Sequence, residues 1–125
     1  MLTTVAWCIL ASGAITALGG VATFAAPRRV ARAVFDVERV PDSMLFFVRH
    51  WGILIFAVGG LVVYAAYVPA TRLPILSAAI VEKVCVGVLV WSGPVRPTKL
   101  MNLAAIGDAL FSILYAVSLG FAGLG

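Results

Sequence analysis

Charge is scarce in this chain. Only 11% of its 125 residues are Asp, Glu, Lys or Arg, where a soluble domain has about 25%. That shortage excludes an ordinary soluble globule, and the high apolar content excludes a disordered tail. Cysteine is nearly absent as well: Cys8 and Cys85 are the whole supply. Two distant cysteines exclude a secreted disulfide scaffold and any C-x-x-C redox or zinc motif. Both lie in apolar runs, where a free thiol behaves as a small hydrophobe, so they read as packing residues. There is one histidine, His50, which excludes a bis-His haem site within one chain. A di-iron carboxylate bundle needs Glu-x-x-His pairs, and there are none. No Gly-rich phosphate loop, H-E-x-x-H or G-x-S-x-G occurs. The sequence therefore names no metal and no cofactor.

What the chain has is hydrophobic length. Residues of the set AVILMFWYC make up 63% of it. A membrane-spanning helix needs about 20 mostly apolar residues. Four such runs with short connections nearly fill the sequence: 4–26, 45–68, 74–91 and 100–121. The reading is an all-α, four-span membrane protein in a single domain covering 1–125. Short loops make sequence neighbours antiparallel, which gives an up-down-up-down bundle. The first run has no basic residue ahead of it, unlike a secretory signal, and is expected to remain as span 1.

The long polar connection runs from Pro27 to Ser43. Arg28, Arg32 and Asp36 share one helical face by their i, i+4, i+8 spacing. Val30, Val34 and Val37 lie on another. This pattern predicts a short interfacial amphipathic helix, ended by Pro41. The net charge of +4 marks membrane orientation rather than nucleic-acid binding. Arg28, Arg29, Arg32, Arg39, Arg49, Arg96 and Lys99 flank loops 1 and 3, seven residues against Arg72 alone in loop 2. Basic residues favour the cytoplasmic side. Loops 1 and 3 are therefore expected in the cytoplasm of an inner (cytoplasmic) membrane, with both termini outside. In span 1, Ser12, Thr16 and Gly20 form a small-xxx-small line suited to close helix packing, within the chain or between copies.

The informative residues are the ionisable ones inside the spans: Glu82, Lys83 and Asp108. A charged side chain at a span centre costs about 2.5–3.5 kcal/mol on insertion scales and usually faces the bundle interior. At about 1.5 Å per residue, Glu82 is roughly 14 Å deep, Asp108 roughly 12 Å and His50 roughly 7 Å from the same surface. Around Asp108 lie Ala104, Ala105, Ser112 and Tyr115; around Glu82 lie Ala78, Ala79 and Cys85; His50, Ala57 and Tyr64 share a face. Two readings follow. In the structural one, Lys83 pairs with Asp108 across spans 3 and 4, Glu82 meets Arg49 or His50, and the network fixes the bundle register. In the functional one, Glu82, Asp108 and His50 form an acid–base site. Asn102, Ser112, Tyr115, Tyr64 and Trp51 then line a pocket between spans 2, 3 and 4. Trp51 and Trp91 also stand near span ends, where indole rings anchor at the interface.

The layout resembles the DoxX-like superfamily of small four-helix bacterial membrane proteins. The resemblance rests on Ala26-Pro27 followed by an Arg-rich amphipathic stretch, then Arg49-His50-Trp51-Gly52 opening span 2. It implies a four-helix integral membrane protein, sometimes associated with membrane oxidoreductase systems, and brings no catalytic residues with it. Three functions are compatible with the residues. One is a small accessory or binding protein for a hydrophobic molecule such as a lipid, quinone or isoprenoid. Another is a membrane enzyme performing acid–base chemistry on a lipid-soluble substrate. The third is a proton-coupled carrier built as a homo-oligomer. The partners implied are the bilayer, that hydrophobic molecule, and further copies or a larger membrane complex.

Overall fold

The computed structural model describes residues 2–93 and 97–124, with the side chains of 121–124 left aside. Arg96, one of the basic residues counted for orientation, lies outside the described residues. The described chain folds into five α-helices: α1 (Thr4–Ala25), α2 (Pro27–Phe35), α3 (Asp42–Tyr67), α4 (Arg72–Ser92) and α5 (Lys99–Leu124). A short 3-10 turn, Pro69–Thr71, joins α3 to α4. Helices α1, α3, α4 with its preceding turn, and α5 are each long and apolar enough to cross a membrane. Their outward faces carry Trp7, Leu18, Phe46, Phe47, Leu73, Leu89, Leu103 and Leu110, all exposed. Such a surface is stable against acyl chains and costly in water. This is a multi-pass membrane protein.

Local chemistry explains the helix ends. Thr3 caps α1 by accepting from the Ala6 N–H at 3.1 Å, and Thr98 accepts from the Met101 N–H at 3.1 Å to start α5, both satisfying donors that a helix start leaves free. Arg72 donates to the Ala65 and Ala66 carbonyls at 3.0 and 3.1 Å, closing the last turn of α3 with a cation where the helix dipole favours one. The amphipathic helix ends at Phe35, before Pro41, because Asp36 adopts a left-handed φ of 53°. Asp tolerates that conformation better than most residues. From there the chain turns back, and Arg28 holds the return through Val40 O at 2.9 Å and Asp42 Oδ1 at 3.0 Å.

The four spans do not pack evenly. They form two antiparallel pairs, α1 with α3 and α4 with α5. The α1–α3 seam is built on glycine. A Cβ on Gly13 would lie 2.8 Å from Val63 N, and one on Gly52 would lie 2.8 Å from Phe24 N. Gly20 against Phe56 and Gly59 against Ala17 approach closer still. Gly13 and Gly20 are seven apart, as are Gly52 and Gly59, so each pair stays on one face of its helix. The close-packing line of α1 is therefore Gly13, Ala17 and Gly20, while Ser12 and Thr16 turn toward α5 and α4. In lipid, where hydrophobic burial does not drive helices together, such backbone approach supplies the attraction.

The two pairs meet firmly at their ends. At the α3–α4 turn end, Ile9, Val62, Ala66, Leu76, Ala79 and Tyr115 form a closed apolar core. At the other end Ala31, Val40 and Val48 form a second, smaller core under α2. Helix α2 bridges α1, α3 and α5 there, and Thr98 ties the α5 start to it by donating to Ala33 O at 2.7 Å. Between the two cores lies the cavity described next.

The seam makes neighbouring glycines inequivalent. A Cβ on Gly60 meets nothing within 4 Å. Gly59→Leu should therefore lower stability by about 1–3 kcal/mol or more through overpacking, whereas Gly60→Leu should stay within about 0.5 kcal/mol of wild type. Thermal melts of both variants in detergent check this; equal losses contradict the seam.

Candidate functional site

Lys83 is the most completely enclosed charge among the described residues, its side chain 2% exposed. It sits mid-helix in α4 and reaches both neighbouring layers. Its ammonium donates to Asp108 Oδ1 on α5 at 3.0 Å and to Thr16 Oγ1 on α1 at 3.1 Å. A further side faces the Phe111 ring, 5.3 Å from its centroid, a cation–π contact. Thr16 in turn donates to Ser12 O at 2.9 Å. Ser12 Oγ donates to Ile9 O at 2.9 Å and lies 2.7 Å from Tyr115 Oη. With the Ser12 proton committed to Ile9, Tyr115 is the donor in that last bond. A polar thread thus runs from α5 through α4 into α1 and back to α5.

Glu82, one residue before Lys83, points about 100° around the helix. Its Oε2 is shielded from solvent and has no hydrogen-bond partner among the described residues. Glu82, Lys83 and Asp108 line one cavity of about 500 Å³. Its other walls are almost wholly apolar or small: Ile15, Gly19 and Ala22 from α1, Val30 and Val34 from α2, Ile55 from α3, Ala104 and Gly107 from α5. A second apolar cavity of about 250 Å³ adjoins it. The two share Val34, Trp51, Val86 and Met101. Trp51 packs on Phe35 of α2, centroids 6.5 Å apart. Gly19 and Gly107 each have open space where a Cβ would stand. The α1 and α5 faces at this level, with Ile15, Gly19, Ala22, Leu100 and Ala104 exposed, leave the cavity open sideways between those two helices.

Of the residues singled out from the sequence, the structure brings together Glu82, Lys83, Asp108 and Trp51. It does not bring the others. His50 and Arg49 are exposed and border a separate outer groove with Asp42, Leu45, Phe46 and Ile53; His50 stacks on Phe46 at 6.5 Å. Neither meets Glu82, and Arg49 has no part in the Lys83–Asp108 pair. The reason is the glycine seam: α3 turns Gly52 and Gly59 inward, which turns the His50, Ala57 and Tyr64 stripe outward. Tyr64 is accordingly 52% exposed on the apolar rim. Asn102 is exposed and accepts from Trp91 Nε1 at 2.7 Å, joining α4 to α5 away from the cavity. Ser112 donates to Asp108 O within α5 at 2.9 Å and borders an external α4–α5 groove. Tyr115 is buried in the core, beyond the cavity. Trp51 is a wall of both cavities. Cys8 and Cys85 are free and exposed on outer faces, not packed inside.

The pocket is accordingly not confined to spans 2, 3 and 4. Helices α1 and α2 supply a large part of its wall, and Thr16 holds the lysine. Thr16 carried one legible signal, a hydroxyl at mid-span in a helix with no charge of its own. Phe111, Gly19 and Gly107 carried none.

Breaking one side of a buried ion pair costs about 3–5 kcal/mol, because the other charge is left uncompensated. Lys83→Met should therefore destabilise the wild-type protein strongly and the Asp108→Asn protein much less. A four-way thermal-melt cycle measures that difference; equal losses in both backgrounds mean that the pair is not coupled.

No family model, curated protein or solved structure matches the chain, so the roles of these residues rest on their geometry.

Proposed function

We propose that this protein binds a hydrophobic small molecule carrying a polar end, of the lipid, quinone or isoprenoid kind, within the membrane. The observation that carries this reading is the cavity of about 500 Å³, apolar on most sides and charged at one place. Ligand pockets of this type are typically about 300–1,000 Å³, mostly apolar, with a few polar groups that fix orientation. The adjoining apolar cavity past Trp51 extends the space for a hydrocarbon tail. The sideways opening between α1 and α5 suits a ligand that arrives from the bilayer. The α2 end faces the cytoplasm of an inner membrane on this reading, since Arg28, Arg29, Arg32, Arg39, Arg49 and Lys99 gather there and Arg72 stands alone at the other end. The protein then acts as a binding or accessory component, alone, as several copies or in a larger membrane complex. We propose on the same footing that it belongs with the DoxX-like superfamily, which its four-span layout with an Arg-rich helix after span 1 resembles.

The partnerless Glu82 oxygen beside an ion pair favours one second reading, a membrane enzyme in which Glu82 and Asp108 move protons on the bound molecule. His50 is outside that set. Recovery of the bound molecule separates the two: a binding protein returns it unchanged, an enzyme returns an isomerised or cyclised product that the Glu82→Gln variant does not form. A carrier would have to open the Ile9–Val62–Tyr115 core and the Ser12–Tyr115 bond that close the far end.

The binding test uses Trp51 as reporter. A protein with Trp7→Phe and Trp91→Phe keeps it as the single indole. Titration with 11-bromoundecanol in detergent should quench it saturably. An added Cβ at Gly19 or Gly107 meets nothing within 4 Å, and Gly19→Leu with Gly107→Leu should fill that space and abolish the saturable part. Quenching that is linear, and the same in the filled protein, overturns the proposal.

A further inference from the structure

The cavity's polar groups differ in whether they give or receive hydrogen bonds, and this restricts the ligand. The donors beside the ion pair are committed, and among the described residues lining the cavity the one side-chain donor left over is the Trp51 indole N–H, on the wall shared with the second cavity. The Lys83 ammonium, with three N–H groups, is divided among Asp108 Oδ1, Thr16 Oγ1 and the Phe111 ring. The Thr16 hydroxyl proton goes to Ser12 O, and Thr23, also on the wall, donates to Gly19 O at 2.8 Å. The acceptors are not committed. Glu82 Oε2 has no partner among the described residues. Asp108 engages Lys83 through Oδ1, and its side chain remains 23% exposed.

Charge leads to the same place. Lys83 and Asp108 cancel, which leaves Glu82 as the unbalanced group lining the cavity. A carboxylate away from water is costly until a cation or proton compensates it. A ligand ending in a carboxylate or phosphate would add a second negative charge and find no free N–H around the pair. One ending in a protonated amine would supply both the missing donors and the missing charge.

We propose that the polar end of the ligand is a hydrogen-bond donor, best a protonated amine on an apolar chain, received by Glu82 with the free oxygen of Asp108. This deepens the binding reading and rests on it. The amine sits beside the Lys83–Asp108 pair without displacing Lys83, whose contacts are complete. Its hydrocarbon runs along Ile55, Val86 and Met101 toward Trp51, where the second cavity continues.

The experiment uses the single-Trp51 protein and three brominated undecyl chains that differ only in their ends: amine, hydroxyl and carboxylate. At pH 7 the amine should saturate quenching at least tenfold tighter than the carboxylate, with the alcohol between them. Glu82→Gln should bring the amine down to the level of the alcohol. Carboxylate binding as tight as amine binding overturns the donor rule while leaving the cavity reading intact. Amine binding unchanged by Glu82→Gln, in a protein whose melt shows it folded, overturns the role of Glu82. Saturation by none of the three, with the Gly19→Leu, Gly107→Leu protein behaving identically, overturns the binding reading itself. The wild-type ligand comparison decides the donor rule even where Glu82→Gln does not fold.

Discussion

A single ammonium group holds the middle of this bundle together. Lys83 leaves α4, takes Asp108 on the neighbouring helix of its own pair and crosses to Thr16 on the other pair. Without that crossing, α1–α3 and α4–α5 are joined firmly only at their ends, by an apolar core on one side and α2 on the other. The energetics are those of a charge in a low-dielectric medium: removing it from water is expensive, and the cost is recovered only if every N–H finds a partner. Here two oxygens and one aromatic face do so. The lysine consequently fixes how far apart the helix pairs stand, and the space they leave becomes the cavity.

The glycine seam sets the other dimension. Because Gly13 and Gly20 lie against the α3 backbone at Gly52, Phe56 and Gly59, α1 and α3 act as one thick unit with little freedom to rotate. That contact chooses which face of α3 is interior. It sends Trp51 and Ile55 to the cavity and His50 and Tyr64 to the rim. A change of one residue in seam register would exchange those roles, so a packing device far from any charge decides the chemistry available inside.

The closed and open ends of the cavity follow from the same division of labour. On the α3–α4 turn side, Ile9, Val62, Leu76 and Tyr115 fill the interior with side chains. On the α2 side, small residues of α1 and α5 leave it unfilled: Gly19, Ala22, Ala104 and Gly107. Small residues in lipid commonly bring helices together, as they do at the α1–α3 seam. Opposite one another across the α1–α5 gap they do the reverse, since no backbone comes to meet them and the volume remains.

The sequence alone determined the four spans, the interfacial helix after the first, and the interior placement of Glu82, Lys83 and Asp108. These follow from strong local rules: apolar length, helical periodicity and the cost of charge in hydrocarbon. Helix depth also follows from counting residues, which is why Lys83 and Asp108 were legible as neighbours. Rotation of α3 about its axis was not legible, because an almost uniformly apolar span has no polar side to mark its interior. Only the tertiary structure decided that α3 turns glycine inward and histidine outward, that Thr16 completes the lysine's shell, and that α1 and α2 wall a pocket expected from the later spans. Those outcomes depend on backbone-to-backbone approach at specific residues across the bundle, and a one-dimensional pattern of hydrophobicity does not encode it.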